Sequence, residues 1–139
     1  MNPQDLADPD SYAWSTTENV RFSDTDQVGH VNNVAHVALV EAGRIAFAHE
    51  LFRRAGADPG ALTFARLEID FVDDLHYPAT VRIGARVLRV GTTSFTVGVG
   101  GFDDGRCVST SVNVLVHLGE DGRPAALPQA YRDQLEQAR

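Results

Sequence analysis

Apolar and polar residues alternate with a period of two through most of the second half of the chain. This alternation is typical of β-strands that bury one face. It predicts four strands, over residues 62–71, 80–90, 94–102 and 106–118. Short turns separate the last three strands, and such short links make consecutive strands antiparallel neighbours.

The alternation also predicts which residues share a face of each strand. In the first strand, Ala65, Leu67, Ile69 and Phe71 oppose Phe64, Arg66, Glu68 and Asp70. In the second, one face carries Val81, Ile83, Ala85 and Val87. In the last, one face carries Val108, Thr110, Val112, Val114 and Val116.

The period changes to that of an α-helix between about Asn33 and Arg54. One stripe of this helix contains Val34, Ala38, Glu41, Ile45, Ala48 and Phe52, widened by Val37 and Leu51. A stripe of this kind normally packs on the core. Glu41 lies in its middle, and a buried carboxylate is costly unless it is paired or hydrogen-bonded. We therefore expect partners to hold Glu41 at a buried position beside the functional site.

The remaining segments complete the predicted architecture. Residues 12–22 have the composition of a first strand, residues 56–60 end the long helix, and residues 127–138 predict a terminal helix that begins near Pro128. Residues 1–11 have little to bury and predict a loosely held arm before a single domain over residues 12–139. The expected fold class is α+β, with one long central helix wrapped by a curved antiparallel sheet of about five to six strands.

Composition removes several classes of function. The chain of 139 residues carries a net charge of −7, which excludes a general nucleic-acid binder because phosphate contact needs a basic surface. All twelve basic residues are Arg, so Schiff-base catalysis by Lys is excluded. Cys107 is the single cysteine and cannot form a disulfide within the chain. No apolar run approaches ~18 residues and the first ten residues are acidic and polar, so we expect a cytoplasmic protein without a membrane span.

The candidate chemistry lies directly before the long helix. Residues 21–33 read Arg21-Phe22-Ser23-Asp24-Thr25-Asp26-Gln27-Val28-Gly29-His30-Val31-Asn32-Asn33. Free backbone N–H groups and the positive end of the helix dipole meet there. These groups can polarise a carbonyl oxygen while a carboxylate acts on water or on an acyl carbon. The structural alternative is that Asp24 and Asp26 only form a turn and Asn32 only caps the helix.

This segment resembles the motif of the hotdog-fold thioesterases, in the 4-hydroxybenzoyl-CoA thioesterase-like branch. The matching positions are Arg21, Phe22, Asp24, Asp26 and residues 29–33, followed by Glu41 and Arg44 on the helix. Residues 68–71 with His76 and Tyr77 form a second, weaker match. The order of one strand, one helix and four strands extends the resemblance over about residues 12–118.

The resemblance implies roles for particular residues. Asp26 corresponds to the catalytic carboxylate, acting as general base for water or as nucleophile on the thioester carbon, and a backbone N–H near Asn33 polarises the thioester carbonyl. His30 either belongs to the catalytic machinery or shapes the loop. Asn32 is favoured as a cap, and Glu41 either assists catalysis or pairs structurally. The substrate is expected to contact Gly29, Val31 and Asn32, and Thr93 and Ser94 loosely resemble the strand junction that meets the CoA phosphates.

The same resemblance implies partners and cofactors. The expected substrate is a thioester of coenzyme A or of an acyl carrier protein, and the expected assembly is a homodimer or a dimer of dimers, because the family forms its sites between subunits. No cofactor is expected besides the coenzyme A of the substrate. No metal is expected either, because no ligand spacing for zinc appears among the five histidines.

Two other functions are compatible with the same fold. Hotdog hydratases and dehydratases carry Asp-x-Asn-Pro-x-His, in which the histidine is five positions after the aspartate. Here His30 is four positions after Asp26, and Asn-Pro is absent. A non-catalytic acyl-CoA-binding domain has no need for a carboxylate directed at the thioester, so the retention of Asp26 favours an enzyme. Thiol release from a panel of acyl-CoAs discriminates the two.

Overall fold

The computed structural model describes residues 3–56 and 61–139. The helices in these ranges are α1 (Pro3–Leu6), α2 (Asn33–Ala55) and α3 (Gln129–Gln137). The strands are β1 (Trp14–Asn19), β2 (Ala61–Phe71), β3 (Thr80–Val90), β4 (Ser94–Asp103) and β5 (Arg106–Leu118). Gly56 ends α2 with a left-handed φ of 68°, while the rest of the predicted helix stop, residues 57–60, lies outside the described residues.

The strands form one antiparallel sheet in the order β1-β3-β4-β5-β2. The sheet curves around α2, which confirms the predicted α+β fold of one long helix against a curved antiparallel sheet. The bounds of β3 and β5 match the prediction, and β1 is shorter than predicted. It stops at Asn19 because a 3₁₀ turn over Phe22–Asp24 follows.

The core lies between α2 and the inner face of the sheet. Val40, Phe47 and Leu51 of α2 are buried there. The facing residues of β3 are the predicted set, Val81, Ile83, Ala85 and Val87. Gly43 lets the helix approach β3, because a Cβ at this position would lie 2.3 Å from Cγ2 of Ile83.

The predicted stripe of α2 is correct in part. Ala48 and Leu51 are buried as predicted, but the rest of the arc that the helix buries within one chain lies beside the stripe, at Ala35, His36, Val40, Gly43, Arg44 and Phe47. In the predicted stripe, Val34 is 80% exposed, Ile45 is 43% exposed and the side chain of Glu41 is 57% exposed. The helix therefore has two apolar arcs, and the sheet of the same chain covers one of them.

Bulges change the predicted strand faces. Between β4 and β5 the register shifts after the Gly101–Ser109 pair, since Phe102 then pairs with Cys107. Val108 joins the core under α2, whereas Val112 packs on the outer face with Leu6 and Phe102. The prediction that Val108 and Val112 share a face is therefore wrong, because the extra residue at the bulge reverses the alternation. A second register shift lies in β2, between Phe64 and Arg66. Phe64 is therefore not on the same face as Arg66, although the alternation predicted that the two share one.

The N-terminal segment is packed rather than loosely held. Leu6 and Tyr12 are buried with Phe102 on the outer face of the sheet. The Tyr12 hydroxyl donates a 2.6 Å hydrogen bond to the carbonyl of Leu6. In the part of the chain that the structure describes, every helix is too short or too polar to cross a membrane.

Candidate active site

A fixed loop precedes α2 and carries the motif residues. Asp24 is buried at its start, where its carboxylate accepts hydrogen bonds from the Arg21 backbone N–H at 2.8 Å and from Arg21 Nη2 at 2.9 Å. The Arg21 guanidinium lowers the pKa of Asp24 below its usual range. Asp24 therefore stabilises the turn, which is the structural alternative predicted for this residue from the sequence.

Asn32 connects this loop to the helix. Its Oδ1 accepts a 2.8 Å hydrogen bond from the N–H of Ala35, which makes Asn32 the N-cap of α2. Its Nδ2 donates a 2.9 Å hydrogen bond to the carbonyl of Asp24, and its backbone N–H donates to the same carbonyl at 2.9 Å. Both ends of the amide are used, which confirms its prediction as a cap.

We expect Asn32→Ala to lower the free energy of unfolding by about 1–2 kcal/mol, because it removes the cap and one loop hydrogen bond. Urea unfolding followed by circular dichroism measures the change. Asn33→Ala is the matched control, since its side chain is exposed at the next position. Equal stability of the two variants would contradict the capping role.

Asp26 lies in the exposed part of the loop. Its Oδ1 accepts hydrogen bonds from the N–H groups of Val28 at 3.0 Å and His30 at 3.2 Å. The loop closes through a 2.8 Å bond from the Asp26 N–H to the His30 carbonyl, and Gly29 provides the left-handed φ of 84° that this turn requires. One carboxylate oxygen thus fixes the side chain, and the backbone of His30 shapes the loop.

Asp26 and the start of α2 line one cavity of about 290 Å³. Val31 and Asn33 contribute to the same wall, and residues 71–75 form the opposite wall. The N–H groups of Asn33 and Val34 belong to the first turn of the helix, where no intrahelical acceptor exists. A carboxylate and helix-terminal donors therefore border one space, an arrangement that can act on a carbonyl group.

Three predicted site residues, Glu41, Thr93 and Ser94, lie away from this cavity. Glu41 is eight positions beyond Asn33, about 12 Å along the helix, and it is exposed with Arg44 Nη2 at 3.9 Å. Its predicted burial beside the site is wrong because the helix phase differs.

Thr93 and Ser94 are near the other end of the sheet. Along β5, Ser94 pairs with Val116, whereas Val72, which lines the cavity, donates its N–H to the carbonyl of Val108. Val108 and Val116 are eight positions apart, which is about 26 Å along a strand, so Thr93 and Ser94 are remote from Asp26 of the same chain.

The structure adds cavity residues that sequence reasoning missed. His36 is 5% exposed and lines the cavity with its ring edge-to-face on Phe71, at 5.4 Å between ring centroids. Burial lowers the pKa of His36, so its ring is neutral at pH 7. The sequence did contain a signal for His36: it is three positions after Asn33, and this spacing places both residues on one side of the first helical turn. Asp74 also lines the cavity, and the ring of His76 approaches the loop. The sequence placed His76 in the second, weaker match, but a separation of more than 40 positions gave no sign that Asp74 and His76 meet the loop.

The chain is similar to known thioesterases in sequence and in fold. The family model of the thioesterase-like superfamily matches residues 20–135. A thioesterase of Thermus thermophilus, solved with coenzyme A and Zn, is 30% identical over 91% of this chain and 94% of that chain, with a TM-score of 0.80. A predicted thioesterase of Bacillus stearothermophilus is 29% identical over 90% of this chain and 95% of that chain, also with a TM-score of 0.80.

More distant structures share the fold. A 1,4-dihydroxy-2-naphthoyl-CoA thioesterase of Synechocystis is 14% identical over 87% of this chain and 93% of that chain, with a TM-score of 0.73. A search of curated protein sequences finds no match. These likenesses confirm the hotdog fold and the family resemblance predicted from residues 21–33.

Proposed function

Because the chain belongs to the thioesterase-like superfamily and is a thioester hydrolase, we propose that it hydrolyses acyl-CoA thioesters with Asp26 as the catalytic carboxylate. The observation that carries the proposal is the common cavity of Asp26 and the first turn of α2. Hydrolysis needs an activated oxygen nucleophile at the acyl carbon and donors for the oxyanion that forms. Asp26 supplies the first and the helix start supplies the second.

The carboxylate of Asp26 has two ways to act. As a general base it removes a proton from water while the water oxygen attacks the acyl carbon. As a nucleophile it attacks the acyl carbon itself, and water then cleaves the resulting anhydride. In both cases the carbonyl oxygen becomes negative and the backbone N–H of Asn33 donates to it. The CoA sulfur then leaves as a thiolate, which takes up the proton that the hydrolytic water gives up. No step requires a cofactor.

The remaining loop residues hold this arrangement and border the substrate. We propose that Gly29 and Val31 contact the thioester, since Val31 lines the cavity and Gly29 forms the adjacent turn. Asn32 acts as the cap that positions the Asn33 amide. The His30 backbone shapes the loop, while its imidazole Nε2 lies 3.7 Å from Asp74 Oδ2.

Coenzyme A is the preferred carrier in this proposal. The support is the Thermus thioesterase, which was solved with coenzyme A and aligns over most of both chains. A thiol-release screen compares aromatic and straight-chain acyl-CoAs with the same acyl groups on an acyl carrier protein. We expect release from at least one acyl-CoA. Thiol release from the acyl carrier protein alone would show that the natural carrier is that protein rather than coenzyme A. No release from any thioester would favour the non-catalytic binding domain.

A homodimer with shared sites is the expected active form. β2 is an edge of the sheet, with eleven residues that are exposed or half-buried, and such an edge is normally covered. Beside it, Ile45 and Phe64 line a groove of about 330 Å³ between α2 and β2. A second copy on this surface would cover the exposed apolar arc of α2 and bring Glu41 to the interface. We propose that Thr93 and Ser94 reach the substrate only across such an interface.

We expect Ile45→Asp to dissociate the dimer and lower specific activity at least about tenfold, because it buries a carboxylate from each copy in an apolar interface. Light scattering coupled to size-exclusion chromatography measures the mass, and activity is followed across dilution. Ile45→Val keeps the apolar surface and is the matched control. A monomeric parent with full specific activity would overturn the shared site.

A further inference from the structure

We infer that His30, Asp74 and His76 form a binding site for a divalent transition-metal ion of the kind that imidazole prefers, such as Zn²⁺. One ligand atom from each of the three side chains lies within 4.8 Å of the other two. Two imidazoles and a carboxylate are typical first ligands of such ions. The inference concerns metal binding alone and does not depend on the proposed hydrolysis.

The backbone fixes the positions of the two histidines. His30 and His76 form an antiparallel bridge, and the N–H of Val31 donates a 2.7 Å hydrogen bond to the carbonyl of Leu75. Their rings meet edge-to-face with centroids 4.8 Å apart. Because both ligands are on segments tied to each other, little chain entropy is lost when a metal joins them.

One hydrogen bond sets the tautomer of His76. Its Nδ1 lies 3.3 Å from the carbonyl oxygen of Gly29. A carbonyl can only accept, so Nδ1 carries the proton and the lone pair is on Nε2, ready for a metal. A ligating histidine commonly has such a partner on its second nitrogen.

The carboxylate of Asp74 is directed to the same point. Its Oδ2 lies 3.7 Å from His30 Nε2, close to the separation of about 3.4 Å between neighbouring ligand atoms around tetrahedral zinc. Arg106 pairs with the neighbouring Asp73 at 2.9 Å, whereas it binds Asp74 through the backbone carbonyl at 2.8 Å. Arg106 therefore anchors the backbone of Asp74, while its ion pairs are with Asp73 and Asp103.

The three ligands leave coordination positions open. His30 and Asp74 both border the cavity that Asp26 lines, so an open position can face that space. Three protein ligands with a further exchangeable position are typical of zinc sites that bind a small molecule or water. The imidazole of His30 would then be a metal ligand and could not transfer a proton.

Zinc binding is measured on the full chain, without substrate, by competition with a chromophoric chelator. We expect one saturable Zn²⁺ site per chain and visible d–d absorption when Co²⁺ replaces zinc. His76→Ala and Asp74→Asn should each weaken zinc binding at least about tenfold. His49→Ala is the matched control, because it removes an exposed histidine outside the cluster, and it should leave the affinity unchanged.

Several outcomes would overturn the site. These are no saturable zinc binding by the parent, unchanged affinity in His76→Ala, and equal affinity for Mg²⁺, which would indicate mere attraction to acidic side chains. Circular dichroism of each variant separates a lost ligand from a lost fold. Since no thioester is present, a protein that binds zinc without hydrolysing acyl-CoA would leave this inference intact and overturn only the proposed function.

Discussion

Asp26→Asn is expected to lower kcat by about 10²–10⁴-fold while the protein remains folded. The variant loses the carboxylate that acts as base or nucleophile in our proposal. Its shape is retained, because Oδ1 of the asparagine can still accept from the N–H groups of Val28 and His30. Steady-state thiol release on the preferred acyl-CoA measures the loss, and thermal unfolding checks the fold.

The matched control for this variant is Asp104→Asn. Asp104 is in the turn between β4 and β5, where its φ of 50° is one that asparagine also adopts. The control makes the same chemical change away from the cavity and should keep parental activity. Near-normal hydrolysis by Asp26→Asn would remove Asp26 from catalysis, whatever the fate of the other assignments.

Asn33→Pro is expected to lower kcat by about 10²–10³-fold, because it deletes the backbone N–H that we assign to the oxyanion. The helix tolerates this change, since proline is favoured at the first helical position. The residue before a proline must be extended, and Asn32 already is, with φ −72° and ψ 161°. The substitution therefore removes one donor and leaves the helix start in place.

Asn33→Ala completes this test. It removes the side chain and keeps the N–H, so we expect kcat within a few-fold of the parent. An equal loss in both variants would assign the effect to the side chain. Full activity of Asn33→Pro would show that the Asn33 amide does not hold the oxyanion. Unfolding experiments on both variants exclude an effect through stability.

Local patterns in the sequence determined most of the elements. The two-residue period fixed the bounds of β3 and β5, and the helical period fixed α2 to within one residue of Asn33–Ala55. The loop before α2 was also predictable. Its capping by Asn32 and its anchoring by Asp24 are short-range hydrogen bonds that depend on nearby residue types.

Tertiary structure decided which faces are buried. Alternation gives the period of a strand, but one extra residue at a bulge reverses the sides, as it does between Val108 and Val112. The helix pattern marked the apolar arc of Val34 and Ile45 correctly as apolar and wrongly as buried by its own chain. An apolar stripe indicates that another surface covers these residues in the folded protein. It does not indicate whether that surface belongs to the same chain or to another.

The functional groups divide in the same way. The proximity of Asp26, His30 and Asn33 was predictable, because they are close in sequence and one loop brings them together. Asp74 and His76 approach His30 only through the bridge between two distant segments. Glu41 was misplaced because its position depends on how α2 packs on the sheet. The sequence by itself therefore determined the elements and the conformation of the loop before α2. Long-range packing, which a local period does not describe, decided what the elements bury and which distant side chains meet.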